Sequence, residues 1–221
     1  MGFGNNLPPF CIAESNSGVE VDIIREALAF RGHVLRPVFY PIKRVPRYFI
    51  EKKIDAAMMD SGMNLIPHGG HYAEPAVIYD NVFIVLKDRN LHIEKPDDLK
   101  GHTVMAFPGA LERYPEWLNA VKKAGNYAEI NEQALQVKVL YNGRYDVVLS
   151  DRYIFRYYAK LLEQERKILP HKTIEYKFGQ ENPDNYRAIF RNKSIADDYD
   201  AGLKAMKKSG RYKAILDQYL K

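Results

Sequence analysis

Apolar and polar positions along this chain keep changing period, from helical spacing to short continuous apolar runs and back. From residue 19, VEVDIIREALAFRG sets Val21, Ile24, Ala27 and Leu28 on one helical face and stops at Gly32. HVLRPVFY, residues 33–40, has the β-rich composition of a strand. Residues 43–53 return to helical spacing, with Pro46 suited to a first turn and Val45, Phe49 and Ile50 turned inward. IDAAMM, residues 54–59, is short, apolar and bounded, which predicts a buried strand. The second half repeats the order: a strand at HTVMAF (102–107), a helix over 115–123, a strand at YAEI (127–130), a helix over 132–141 and a buried strand at YDVVLS (145–150). Alternation of this kind predicts an α/β fold with mostly parallel sheets, arranged as two lobes.

One stretch is written twice. EKKIDAAMMDS at 51–61 and YNGRYDVVLSD at 141–151 each run from a helix end to an Asp, through four small or apolar residues, to a second Asp. In an open α/β sheet, side chains just past the carboxyl ends of the strands face the crevice where ligands bind. Asp60 and Asp151 are therefore expected in a cleft, and Asp55 and Asp146 in local hydrogen bonds at helix-to-strand turns. Between the halves, FIVLKDRNLHIEKPDDLKG (83–101) reads as a crossover with a short helix at 96–99. NYRAIFRN (185–192) is a late extended segment, followed by helices over 194–208 and 211–220. Their return to the first lobe gives lobe 1 as residues 1–86 and 190–221, lobe 2 as 87–189, and two connecting strands acting as a hinge.

With 46% hydrophobic and 28% charged residues, the 221-residue chain has the composition of a packed globular protein rather than a disordered one. Its longest apolar run, residues 76–86, is interrupted by Asp80 and Asn81 and falls short of the ~20 residues that span a bilayer. The formal charge of +5 is spread along the chain. Its densest part, Lys204, Lys207, Lys208, Arg211 and Lys213, sits opposite Leu203, Met206, Ile215 and Leu216, the pattern of a solvated helix face, so no nucleic-acid partner is expected. The single Cys11 excludes an internal disulfide and reads as a small buried apolar residue. His68, His71 and Glu74 have no strong metal-site spacing, and no metal or cofactor is expected. Tyr153, Phe155, Tyr157 and Tyr158 read as packing; Tyr114, beside a glycine turn, is the better contact candidate. No nucleophile–base pair or phosphate loop stands out, so the chain reads as a non-enzyme.

Several motifs in order resemble one family: PPF at 8–10, GVEVDI at 18–23, KKIDAAMMDSG at 52–62, YAEP at 72–75, DLKG at 98–101, NGRYDVVLSD at 142–151 and GRYKAILDQYL at 210–220. Together they resemble the bacterial extracellular solute-binding proteins of family 3, which deliver amino acids to ABC transporters. The resemblance implies a two-lobed periplasmic-binding-protein-like fold of type II that closes over a small polar solute. It further implies export to the periplasm with the signal peptide removed, a monomer, and a membrane ABC transporter permease as partner. Residue by residue it places Phe10 against the ligand and has Asp60, Ser61 and Gly62 offer polar groups. It has the turn Gly109, Ala110 and Leu111 present free N–H groups to an anion, with Tyr114 nearby, and Asp151 hold a cationic amino group. Amino-acid binders of the family usually carry an Arg in the loop after the first buried strand, and GMNLIPHGGHY (62–72) has none. Arg44, and less directly Arg113, are the substitutes. The same fold also hosts cyclohexadienyl dehydratases, for which Asp60, Glu14 and Glu112 would be the acids, and the ligand-sensing domains of receptors.

Overall fold

The computed structural model describes residues 1–5 and 7–220. The chain divides into two compact units, Met1–Tyr79 with Glu181–Lys221, and Asp80–Gln180. The first unit begins with β1 (Gly2–Gly4), α1 (Val19–Ala29), β2 (Val38–Tyr40), α2 (Val45–Ile50), β3 (Ala56–Ala57) and β4 (His71–Pro75). The second unit holds β5 (Asn81–Leu86), β6 (Val104–Ala106), α3 (Ala110–Arg113), α4 (Pro115–Lys123), β7 (Tyr127–Glu129), α5 (Gln133–Tyr141), β8 (Val147–Asp151), α6 (Arg152–Gln164) and β9 (Thr173–Tyr176). The chain then returns to the first unit for β10 (Arg187–Phe190), α7 (Lys193–Ser209) and α8 (Arg211–Leu220).

Each unit is a five-stranded mixed sheet with the same plan. The orders are β2-β1-β3-β10-β4 and β7-β6-β8-β5-β9. In the first, β1 is parallel to β2 and β3, and β10 runs antiparallel between β3 and β4. In the second, β6 is parallel to β7 and β8, and β5 runs antiparallel between β8 and β9. The doubled stretch has its explanation here: β3 and β8 are the central strands of equivalent sheets, and each Asp-bounded apolar run fills that place.

The apolar runs are continuous because the sheets are covered on both faces. In β5, Phe83 and Val85 pack with Val104, Trp117, Leu118 and Val147, whereas Val82 and Ile84 pack with Val137, Leu140, Val148 and Phe155. In the first unit, Val45, Phe49, Ile54, Leu65 and Ile189 form a cluster on the α2 side, and α1 packs on α7. That approach is close at Gly202, where a Cβ would collide with the Ala27 backbone carbonyl.

The unit boundaries correct the sequence reading. The expected boundaries put residues 81–86 in lobe 1 and 187–189 in lobe 2. The ladders reverse both, since β5 pairs with β8 and β9, and β10 pairs with β3 and β4. The strand expected over 33–40 is confined to Val38–Tyr40, and the one expected over 54–59 to Ala56–Ala57.

Candidate functional site

In each unit, the carboxyl ends of the parallel strands carry the candidate residues. In the first unit the chain leaves β3 into a tight turn in which Ser61 (φ 49°) and Gly62 (φ 86°) are both left-handed. Asp60 fixes that turn: its Oδ1 accepts the Gly62 N–H at 2.9 Å, and its Oδ2 accepts the Tyr72 hydroxyl at 2.8 Å. Tyr72 in turn accepts the Leu65 N–H at 3.1 Å, so one phenol spans the 60–72 loop. Burial and the bond to Asp60 push the Tyr72 hydroxyl up to about 12, so it stays a donor. The Ser61 hydroxyl oxygen is buried and unpaired among the described residues.

Arg44 is exposed; its backbone N–H donates to the Pro41 carbonyl at 2.8 Å, and its side chain makes no hydrogen bond or ion pair among the described residues. Phe10 departs from expectation. Its ring is 2% exposed and lies on Tyr79, with centroids 4.4 Å apart, and Tyr79 stacks on Tyr186 at 5.3 Å. A proline-braced aromatic serves core packing as well as a binding face, and here it packs.

Beside that stack lies an acid the sequence reading did not single out. Glu20, in the first turn of α1, is fully buried. Its Oε2 accepts the Tyr79 hydroxyl at 3.1 Å and the Cys11 thiol at 3.6 Å, while Oε1 is buried and unpaired among the described residues. Burial pushes the Glu20 carboxyl up to about 8, against the pull of those two donors. Burial and the nearby Glu20 also push the Cys11 thiol well up, which keeps it a thiol.

In the second unit, two expectations are corrected. Gly109 (φ 87°) does make the predicted turn before Ala110 and Leu111, but its N–H groups are not open to an outside anion. The Gly109 N–H donates to Glu129 Oε2 at 2.8 Å, and the Leu111 N–H to Glu129 Oε1 at 3.2 Å. The Tyr127 hydroxyl donates to the same Oε1 at 2.7 Å. The chain supplies its own carboxylate because β7 lies beside β6, a pairing no local pattern reveals.

Asp151 caps α6. Its Oδ1 accepts the Tyr153 and Ile154 N–H groups at 2.9 and 3.0 Å, and its Oδ2 accepts the Asp80 N–H at 2.6 Å. Three of a carboxylate's roughly four acceptor sites are filled, and the residue is 2% exposed. Burial pushes its carboxyl up to about 7, with the three N–H bonds pulling the other way. An Asp directly before a helix is an N-cap signal, and that reading governs here. Asp146 is structural, but its bonds are not the local ones expected: it accepts the N–H and hydroxyl of the distant Thr103 at 2.9 and 2.8 Å. Tyr114 accepts the Asn81 side-chain amide at 3.0 Å and meets Phe178 edge-on.

Arg187, at the start of β10, was also missed. An Arg opening the apolar strand RAIF was the available signal. Its Nε donates to the Ala73 carbonyl at 3.3 Å, and its guanidinium lies 5.1 Å from the centre of the Tyr72 ring. Among the described residues no three His, Cys, Asp or Glu side chains gather as a metal site, and no helix is long and apolar enough to cross a membrane.

No family model matches this chain, and no curated protein matches it. Solved structures do. The ancestral amino acid-binding protein AncCDT-1, described as a precursor of cyclohexadienyl dehydratase, is 20% identical with a TM-score of 0.73, over 100% of this chain and 94% of that one. An ancestral arginine-binding protein bound to arginine is 21% identical with a TM-score of 0.72, over 100% and 96%. A structure from work on glutathione import via GshT and the cystine ABC importer TcyBC of Streptococcus mutans is 16% identical with a TM-score of 0.73, over 100% and 94%. Likeness over whole chains at such low identity establishes architecture: this chain has the two-unit α/β fold of the periplasmic binding proteins.

Proposed function

We propose that this chain is a periplasmic solute-binding protein that captures a small polar solute, an amino acid or a related compound, for a membrane ABC transporter. The observation that carries the reading is the duplication. Two sheets of the same plan each bring polar groups to the carboxyl ends of their parallel strands, where open α/β sheets bind ligands. Asp60, Ser61, Gly62 and Arg44 are the candidate contacts on the first unit, and Tyr114 on the second. The solved structures of amino-acid-binding proteins and of an importer system with this fold support the same reading. The mechanism needs no covalent step: a solute that binds one state of the chain better than another favours that state, and occupancy becomes a change of population. We take the protein to act as a monomer.

A thermal-shift screen tests the proposal. Amino acids, polyamines, small organic acids and prephenate are compared, since a ligand that binds only the folded chain raises its melting temperature. A shift with an amino acid or close relative, without turnover, is the expected result. Loss of prephenate with formation of product would replace the binding reading with the dehydratase one.

A further inference from the structure

We propose that solute binding by this chain is coupled to proton uptake at Glu20, whose carboxyl tethers the segment by which the chain leaves the first unit. The inference rests on the binding reading above and adds the regulation of that binding.

Geometry puts the acid beside both ends of the first unit's chain crossings. Tyr79 is the last residue before the chain leaves the first unit, and the return begins at Glu181. The Tyr79 hydroxyl donates to Glu20 Oε2 at 3.1 Å. Its ring meets Phe10 and Tyr186, with centroids 4.4 and 5.3 Å away. Tyr186, on the returning segment, donates its hydroxyl to Glu181 Oε2 at 2.6 Å. The rings therefore join the outgoing segment to the returning one, and Glu20 holds the ring common to both contacts. Directly after Tyr79, the Asp80 N–H is fixed on Asp151 Oδ2 at 2.6 Å. Hinges are a few residues at element ends that absorb a backbone change, and residues 79 and 80 are each tied by a buried carboxyl.

No cation balances a charge at Glu20 among the described residues. Tyr79 and Cys11 donate to Oε2, and Oε1 is buried and unpaired. Two more phenols face it, Tyr199 of α7 and Tyr212 of α8, and burial followed by the Glu20 charge pushes both upward. The Tyr199 hydroxyl is itself buried and unpaired among the described residues. Asp200 and Glu74, which also act on Tyr199, add further negative charge. Cations of the neighbouring elements are engaged elsewhere: Arg25 with Asp22, Arg211 with Glu26, and His33 with Asp198. An ionised Glu20 is thus a buried carboxylate among phenols and acids, which favours any state of the chain that lets water reach Oε1. Such a state loosens the Tyr79 ring and the crossing it anchors. The packed state carries the proton, and a solute that selects the packed state takes the proton up with it. Burial lifts the carboxyl to about 8, so the proton is present at pH 7 and affinity falls as the pH rises past 8.

The probes are the twenty L-amino acids, putrescine and spermidine, titrated calorimetrically at pH 7. The tightest binder is then followed from pH 7 to 9 in buffers of differing ionisation enthalpy. Relative to Glu20→Gln, wild type should take up about half a proton more per solute near pH 8 and bind about tenfold more weakly at pH 9, with affinities within about threefold at pH 7. Asp151 and the solute's own amino groups titrate in both proteins, so the difference between the two reports Glu20. Tyr79→Phe keeps the ring contacts and removes the tether; it should retain less than half of the wild-type pH dependence, and it carries the test should Glu20→Gln not fold. Parallel affinity profiles for wild type and Glu20→Gln, or undiminished pH dependence in Tyr79→Phe, overturn the coupling and leave the binding reading standing. If wild type binds no member of the panel, the binding reading fails and this inference fails with it.

Discussion

Glu20→Gln should make the first unit more stable in alkali and remove a pH dependence that the wild type carries. Glu20 is fully buried with one carboxyl oxygen unpaired among the described residues, and burial lifts its carboxyl from 4.5 to about 8. Below pH 4.5 the folded and unfolded chains both hold the proton. Between 4.5 and 8 the unfolded chain releases it and the folded chain keeps it, so stability falls as pH rises, by ~1.4 kcal/mol per pH unit. Across that window the loss is about 5 kcal/mol. Above 8 both forms are ionised and the curve flattens. Gln has the shape of the neutral acid and can still accept from Tyr79 through its carbonyl, so the variant should match wild type near pH 4.5 within about 1 kcal/mol. By pH 9 it should lead by about 5 kcal/mol. Asp151 contributes a slope of the same sign between 3.8 and about 7, but it is present in both proteins and cancels in the comparison. Urea unfolding followed by circular dichroism from pH 4.5 to 9 is the assay. Fluorescence of the single Trp117 would follow the second unit instead. Parallel stability curves for the two proteins, or a variant weaker than wild type at pH 9, would refute a neutral, buried Glu20.

Two further substitutions test the frame. Asp151→Ala removes the acceptor of three N–H groups at the head of α6 and should destabilise the second unit by about 2–4 kcal/mol, read from Trp117 fluorescence in urea; a change within about 0.5 kcal/mol would contradict the capping role. Gly202→Ala places a methyl against the Ala27 backbone. Helix propensity alone would make it stabilising by up to ~1 kcal/mol, whereas the α1–α7 approach predicts a loss of about 2–4 kcal/mol in thermal or chemical unfolding, so the sign of the change decides.

The sequence made the secondary structure legible wherever an element buries one face by itself. Helices expected over 132–141, 194–208 and 211–220 appear as Gln133–Tyr141, Lys193–Ser209 and Arg211–Leu220, because apolar spacing and glycine or proline stops are local signals. The apolar run at 76–86 announced a buried strand but not its neighbours, since pairing is set by residues up to 93 positions away. The boundary error came from there. Much the same holds for the site. Asp60, Ser61 and Gly62 were readable as a turn after a strand. That Glu129 would fill the Gly109 turn, or that Arg187 would lie over Tyr72, depends on which strands become adjacent. Asp151 fitted two readings, cap and cleft group, and three converging N–H donors favour the cap.

The placement of β10 between β3 and β4 in the first sheet also orders events during synthesis. When the ribosome has released residues 1–79, β3 and β4 still lack the strand that must slot between them, and α1 still lacks α7. Residues 80–180 form a contiguous compact unit whose five strands pair with one another. The nascent chain can therefore complete its inserted block first, while the amino-terminal portion waits, unfinished and with apolar strand surface uncovered, for the last forty residues to emerge.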